Sequence, residues 1–191
     1  MAELPDWMRP PRPEGWLAED LDNLPDAPRH TELIDGALVF MMSPQRNWHR
    51  RVINALDRAL DAQAPEGIEV NSEMTVRLDK YNRPEPDVIA STVSIPPDAT
   101  QYEAKDIILA VEVVSPESAH RDKAVKPHKY AEAGIRHFWR VEDEDGNAST
   151  AIHVYELDDL TRTYVPIGIF RDSLKVDLPF SIELDVQSLY G

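Results

Sequence analysis

Residues Ile107 to Val114 read Ile-Ile-Leu-Ala-Val-Glu-Val-Val, a continuous apolar run interrupted by one charge, Glu112. A run of this kind reads as a β-strand buried on both faces of a sheet. A carboxylate inside such a strand is costly unless a cation or a metal ion answers it. Ser115-Pro116 ends the strand. Ser118 is a candidate N-cap, the spacing predicts a helix from there to about Ala133, and Gly134 fits the residue just past its end. That helix carries His120, Arg121, Lys123, Lys126, His128 and Lys129. A buried acid followed by a basic helix suggests a site for a metal and an anion.

The elements on either side follow from turn and periodicity signals. Met1 to about Pro13 is proline-rich and reads as an extended arm carrying Trp7, either loosely ordered or packed on a partner subunit. Trp16–Leu24 is a candidate short helix. Two apolar runs from Thr31 to Met42 flank Asp35-Gly36, a hairpin turn signal. Ser43-Pro44 looks like a cap followed by proline at the first helical position. A helix is expected from there to about Ala64, with Val52, Leu56, Ala59 and Leu60 at helical spacing. Ile68–Leu78 reads as one strand, and another begins at Pro86-Asp87-Val88. Ile95–Ala104 reads as a loop. Strands are expected at His137–Val141, Ala151–Leu157, Tyr164–Phe170 and Ser181–Val186. The acidic turn Glu142–Gly146 lacks the ligand pattern of a calcium loop and reads as a solvated hairpin. The division expected is an arm with a short helix over 1–28 and one domain over 29–191.

Composition bounds the function. A chain of 191 residues is long enough to bury a real core as one domain. It has no cysteine, which excludes disulfide frameworks and thiolate zinc sites. No apolar run is long enough to span a membrane and no signal-peptide pattern opens the sequence, so a cytoplasmic location is the default expectation. The net charge of −15 opposes nucleic-acid binding on average, although a local basic patch can override it.

Asp87 begins one strand and Glu112 lies within another. If those strands are neighbours, the two carboxylates converge, and Mg²⁺ favours such a setting of oxygen ligands completed by water and phosphate. An ion held there activates water and stabilises charge on a phosphoryl oxygen, and a nearby lysine assists. Each residue also has an ordinary reading: Asp87 as a turn cap, Glu112 as the partner of an arginine, Lys126 as an exposed helix lysine.

The motifs Thr31-Glu-Leu-Ile-Asp-Gly-Ala-Leu-Val39, Arg83-Pro-Glu-Pro-Asp-Val-Ile89, Val111-Glu-Val-Val-Ser-Pro116 and Lys126 through Tyr130-Ala-Glu-Ala-Gly-Ile135, followed by Phe138-Trp139, resemble in order the Uma-two family of restriction-endonuclease-like proteins, within the PD-(D/E)XK nuclease superfamily. The resemblance implies an α/β, restriction-endonuclease-like fold, a central mixed sheet flanked by helices with additional β-hairpins, and DNA cleavage dependent on Mg²⁺ or Mn²⁺. It implies Asp87 and Glu112 as metal-binding acids, with the carbonyl of Val113 as a further ligand. It also implies a homodimer, which would give the arm and the tryptophans a partner.

The superfamily pattern places its lysine two residues after the second acid, where this chain has Val114. The resemblance moves the lysine to Lys126. Because Pro127 follows, the helix either kinks there or begins there. Lys129 is the substitute and Lys123 a third choice. Glu32 matches an early acidic position, as an outer metal ligand or the holder of a basic group, with a solvent-facing hairpin acid as the alternative. His49 matches a frequent histidine of the family and reads more readily as a helix-surface residue than as a base. The basic cluster Arg46–Arg51 either touches phosphates or is a solvated face. Beside the nuclease stand two other readings: a weak or inactive nuclease fold used for interaction or regulation, and a hydrolase of small phosphate-containing substrates.

Overall fold

The computed structural model describes residues 5–24, 26–41 and 45–190. The expected cap at Ser43-Pro44 lies outside them. Strands β1 (Thr31–Ile34) and β2 (Ala37–Phe40) form a hairpin. Its turn residues Asp35 and Gly36 both have positive φ, the geometry that Asp-Gly supplies. Helix α1 (Asn47–Asp61) follows, then β3 (Glu69–Ser72), β4 (Thr75–Arg77), β5 (Val88–Ser91), β6 (Gln101–Glu103) and β7 (Ile107–Val113). Helix α2 (Lys126–Ala133) precedes β8 (His137–Asp143), β9 (Thr150–Asp158), β10 (Thr163–Phe170), β11 (Ser173–Val176) and β12 (Ile182–Asp185).

Six strands form one mixed sheet in the order β10-β9-β8-β7-β5-β3. Only β7 and β8 run parallel, joined by the crossover that contains α2; the other neighbours are antiparallel. β7 is buried along almost its whole length. Leu109, Val111 and Val113 pack toward α1 with Trp48, Val52 and Leu56. Ala110 packs on the opposite face with Tyr130 and Phe138. Two-residue alternation then places Glu112 on the α2 face. The α1 face is closed further by the β11–β12 hairpin, which contributes Leu174, Ile182 and Leu184.

Several local expectations are corrected. The strand expected over Ile68–Leu78 is two strands. Glu73 adopts φ 53°, which re-aims the chain so that β3 joins the main sheet while β4 pairs parallel with β6. β6 and β11 fall where no strand was expected, being only three and four residues long. Trp16–Leu24 gives a 3₁₀ helix over Ala18–Asn23. The helix expected from Ser118 is interrupted by a π-helical turn at Arg121–Val125. α2 begins after it at Lys126, so Pro127 sits in the first turn, where its missing N–H costs nothing. Gly134 ends α2 at φ 87°, as its position predicted.

The tryptophans find partners within the chain. Trp7 lies edge-on to Phe40, with ring centroids 5.7 Å apart. Trp16 packs with Ala18 and Leu33, and Trp48 and Trp139 lie in the main core.

Candidate functional site

β5 and β7 are antiparallel neighbours with Val88 paired to Val111, which sets Asp87 opposite Glu112 where β5 begins and β7 ends. Both line a cavity of about 510 Å³. Asp87 Oδ2 accepts a hydrogen bond from the Val113 amide at 2.6 Å, so the strand end itself orients the carboxylate.

Glu112 is 1% exposed. Its Oε2 accepts from Lys126 Nζ at 3.0 Å, and its Oε1 from the Tyr130 hydroxyl at 2.5 Å. Lys126 and Tyr130 are four residues apart in α2, so one helical face delivers both donors. Lys126 is 4% exposed, and its ammonium also lies 2.7 Å from Glu32 Oε1 and 3.5 Å from Asp122 Oδ1. Glu32 is held in turn by the Glu85 amide, 2.9 Å from the same oxygen. Glu32 is thus buried and grips a basic group, which corrects the solvent-facing alternative.

The three lysine candidates separate. Lys126 enters the site. Lys129 Nζ lies 2.5 Å from Asp35 Oδ1 at the hairpin turn, and Lys123 pairs with Glu142. Lys129 is therefore corrected as a substitute. His49 is 5% exposed and lines the cavity, with Nε2 3.8 Å from Asp87 Oδ2, so it is not a surface residue. Of the basic cluster, Arg46 also lines the cavity, whereas Arg50 and Arg51 are exposed.

Burial sets the electrostatics. It pushes the carboxyls of Asp87, Glu112 and Asp122 above the usual carboxylate range, against the opposing pull of Lys126. Burial pulls the Lys126 ammonium down, but Glu112, Glu32 and Asp122 together raise it well above an ordinary lysine. The directions for Glu112 and Lys126 conflict if the two are taken as an isolated pair. They agree for a cluster in which four acids face one ammonium: the lysine stays charged and the surplus acid resists ionising. Burial lowers His49, which favours neutral imidazole. The Tyr130 phenol is pushed far up by burial and by Glu112, so it remains a donor.

Asp122 went unrecognised in the sequence. The available signal was its spacing of four residues before Lys126. Its Oδ1 has no hydrogen-bond partner. Because its folded pKa is raised, its contribution to stability is complete below the unfolded carboxylate pKa and is lost as pH rises through the folded value. Asp122→Asn is therefore expected to match wild type near pH 3 and to exceed it in Tm at neutral pH without metal. Equal melting curves across that range would contradict this.

Two cavity carboxylates, Asp87 and Glu112, beside open space for water or phosphate, are oxygen donors of the kind a hard divalent cation takes; Val113, expected as a further ligand, is not among the residues that line the cavity. Among the described residues no three Asp, Glu or His side chains are arranged to hold an ion by themselves. An ion such as Mg²⁺, which retains waters, does not require that. The excess of buried acid over base, and the lack of a hydrogen-bond partner at Glu32 Oε2, fit an added cation.

The fold and this cluster define a mixed α/β protein whose acids and lysine meet where the central antiparallel strand pair ends. A solved protein from Anabaena variabilis, described as a "putative nuclease belonging to DUF820", shares the architecture: the TM-score is 0.70 at 15% identity, over 90% of this chain and 96% of that one. The model of the Uma2 family, described as "Putative restriction endonuclease", matches residues 18–187, and the chain belongs to that family. No curated protein matches it.

Proposed function

We propose that the protein is a metal-dependent endonuclease of the PD-(D/E)XK type that hydrolyses DNA phosphodiester bonds. The observation that carries this is the placement of Asp87 opposite Glu112, with the Lys126 ammonium on Glu112, at the wall of one cavity. Asp87 and Glu112 would hold Mg²⁺ or Mn²⁺, which supplies a water nucleophile at neutral pH and neutralises charge on the phosphoryl oxygen. Lys126 orients the attacking water and stabilises the developing negative charge. Glu32 and Asp122 fix the lysine, and Tyr130 fixes the second oxygen of Glu112. His49 stands beside Asp87 on the same cavity wall, its Nε2 3.8 Å from Oδ2, while the Val113 amide orients the carboxylate.

The test is cleavage of supercoiled and single-stranded DNA in Mg²⁺ or Mn²⁺ by the wild type and by Glu112→Ala, Lys126→Ala and Lys129→Ala. The first two are expected to lose cleavage. Lys129→Ala is expected to stay within about twofold, as for a surface substitution away from the site. No cleavage by a folded wild type would remove the proposal. A homodimer cutting both strands belongs to the same reading, and sedimentation equilibrium tests it.

The acids on the cavity wall, Glu73, Glu85 and Glu117 among them, favour one second reading, a hydrolase of small phosphate-containing substrates. Comparing plasmid with small phosphodiesters separates the two. Among the described residues no helix is long and apolar enough to cross a membrane.

A further inference from the structure

The buried ammonium is surrounded by more acceptors than it fully uses. Lys126 Nζ carries three N–H groups. Glu32 Oε1 accepts at 2.7 Å and Glu112 Oε2 at 3.0 Å. Asp122 Oδ1 stands off at 3.5 Å, against about 2.7–2.9 Å for an ordinary charged hydrogen bond. That oxygen has no hydrogen-bond partner, although Asp122 is 1% exposed. A buried carboxylate oxygen without a donor is costly, so it calls for a reason.

Glu112 shows the complementary shortage. Both of its oxygens are engaged, Oε2 by the ammonium and Oε1 by the Tyr130 hydroxyl. A divalent cation on Glu112 would share that carboxylate with the ammonium. Two like charges would then stand a few ångströms apart in a buried setting, where screening is weak. They coexist there only if the ammonium is given another acceptor. The cluster holds one ready. Asp122 lies in the π turn, four residues before Lys126 on the same segment, and a shift of less than about 1 Å closes the gap to its Oδ1. Glu32 already holds the ammonium through Oε1 and is itself fixed by the Glu85 amide, which makes it the pivot of such a shift.

We propose that Asp122 is the positioning residue that takes the Lys126 ammonium over from Glu112 when a divalent cation binds at Asp87 and Glu112, with Glu32 holding the ammonium throughout. This rests on the metal-dependent reading of the site given above. Only hydrogen-bond partners are exchanged; no proton is transferred. Glu112 is released to the cation, Glu32 and Asp122 hold two of the three N–H groups, and the third remains for the attacking water. Asp122 therefore supports metal affinity through the lysine, while in the metal-free protein it is a surplus buried acid. Its replacement changes the two properties in opposite directions: Asp122→Asn raises the metal-free Tm, as stated above, and weakens metal binding. Loss of a merely structural residue would lower both.

The experiment is titration of the full chain with Mn²⁺ at neutral pH and without nucleic acid, read from the electron paramagnetic resonance signal of free Mn²⁺. Asp122→Asn is expected to weaken binding about tenfold, the size of effect that loss of a residue supporting a metal ligand has. Glu73→Gln removes an equal charge from the same cavity wall at an exposed residue, and it is expected to change affinity by less than about threefold. In a Lys126→Met background there is no ammonium to hand over, and Asp122→Asn is expected to do no more than Glu73→Gln. Near-UV circular dichroism checks that the Lys126→Met chains are folded. A crystal structure of the Mn²⁺-loaded wild type reads the same exchange without replacing the lysine: Lys126 Nζ is expected within about 3.0 Å of Asp122 Oδ1.

Absence of Mn²⁺ binding by the folded wild type would remove the metal-dependent reading and the exchange with it. Three results would overturn the exchange alone and leave that reading standing: Asp122→Asn and Glu73→Gln with equal effects, an Asp122→Asn effect that is the same with and without Lys126, or a loaded structure in which the ammonium still rests on Glu112.

Discussion

Lys126→Met is expected to destabilise the metal-free protein at neutral pH by about 3–5 kcal/mol, the usual result of removing one member of a buried ion pair. The ammonium contacts Glu32, Glu112 and Asp122, all at most 3% exposed, and methionine leaves them without a neighbouring cation. The destabilisation should depend on pH in a defined sense. Asp87, Glu112 and Asp122 are already raised by burial, and without the ammonium they rise further. Groups with raised folded pKa stabilise fully below the unfolded pKa, near pH 4, and lose that contribution as pH climbs through the folded value. The deficit is therefore expected to shrink toward pH 4 and to widen toward pH 8. Urea unfolding across that range measures it. Wild-type stability at pH 8 would show that the ammonium does not hold the cluster together.

Glu112→Gln is expected to separate activity from stability. Loss of a residue that merely orients a metal ligand costs about 10–100-fold, so loss of a ligand should cost at least about 100-fold in cleavage. Glutamine keeps the shape and the acceptor for the Tyr130 hydroxyl, while a charge that burial disfavours disappears. The metal-free Tm at neutral pH is accordingly expected to equal or exceed that of wild type. Cleavage at the wild-type rate would refute the assignment of Glu112. A collapsed Tm would show instead that its charge is needed to keep Lys126 in place.

The sequence made some of this legible for identifiable reasons. β7 was readable because a strand covered on both faces must be apolar throughout, so Glu112 stood out. Asp87 was recognisable, but its pairing with Glu112 depends on which strands are neighbours, and no local pattern encodes that. Lys126 was ambiguous beside Pro127 because the π turn shifts the helix by a residue, and a wheel drawn from Ser118 cannot follow that shift. His49 reads from the sequence as a helix-surface residue, and the structure buries it. Its spacing from Val52, Ile53 and Leu56 in fact puts it on the buried face of α1. Glu32 stays open in the sequence between gripping a basic group and facing solvent because Leu33 and Ile34 beside it are also buried, so β1 shows no alternation to interpret.

The crossover between β7 and β8 also bears on the order in which the chain acquires its site. Glu112, Asp122, Lys126 and Tyr130 all belong to that one stretch, so their mutual contacts span at most 18 residues. Glu32 reaches the same lysine from 94 positions upstream, and Asp87 comes from a separate strand. Contacts of low sequence separation close with the least loss of chain entropy and form fastest. On that ground the lysine is expected to meet its own segment before the distant acid arrives, and the hairpin that carries Glu32 to dock onto a cation already in place. Such an order would give the strand's acid its counter-charge before the sheet closes over it.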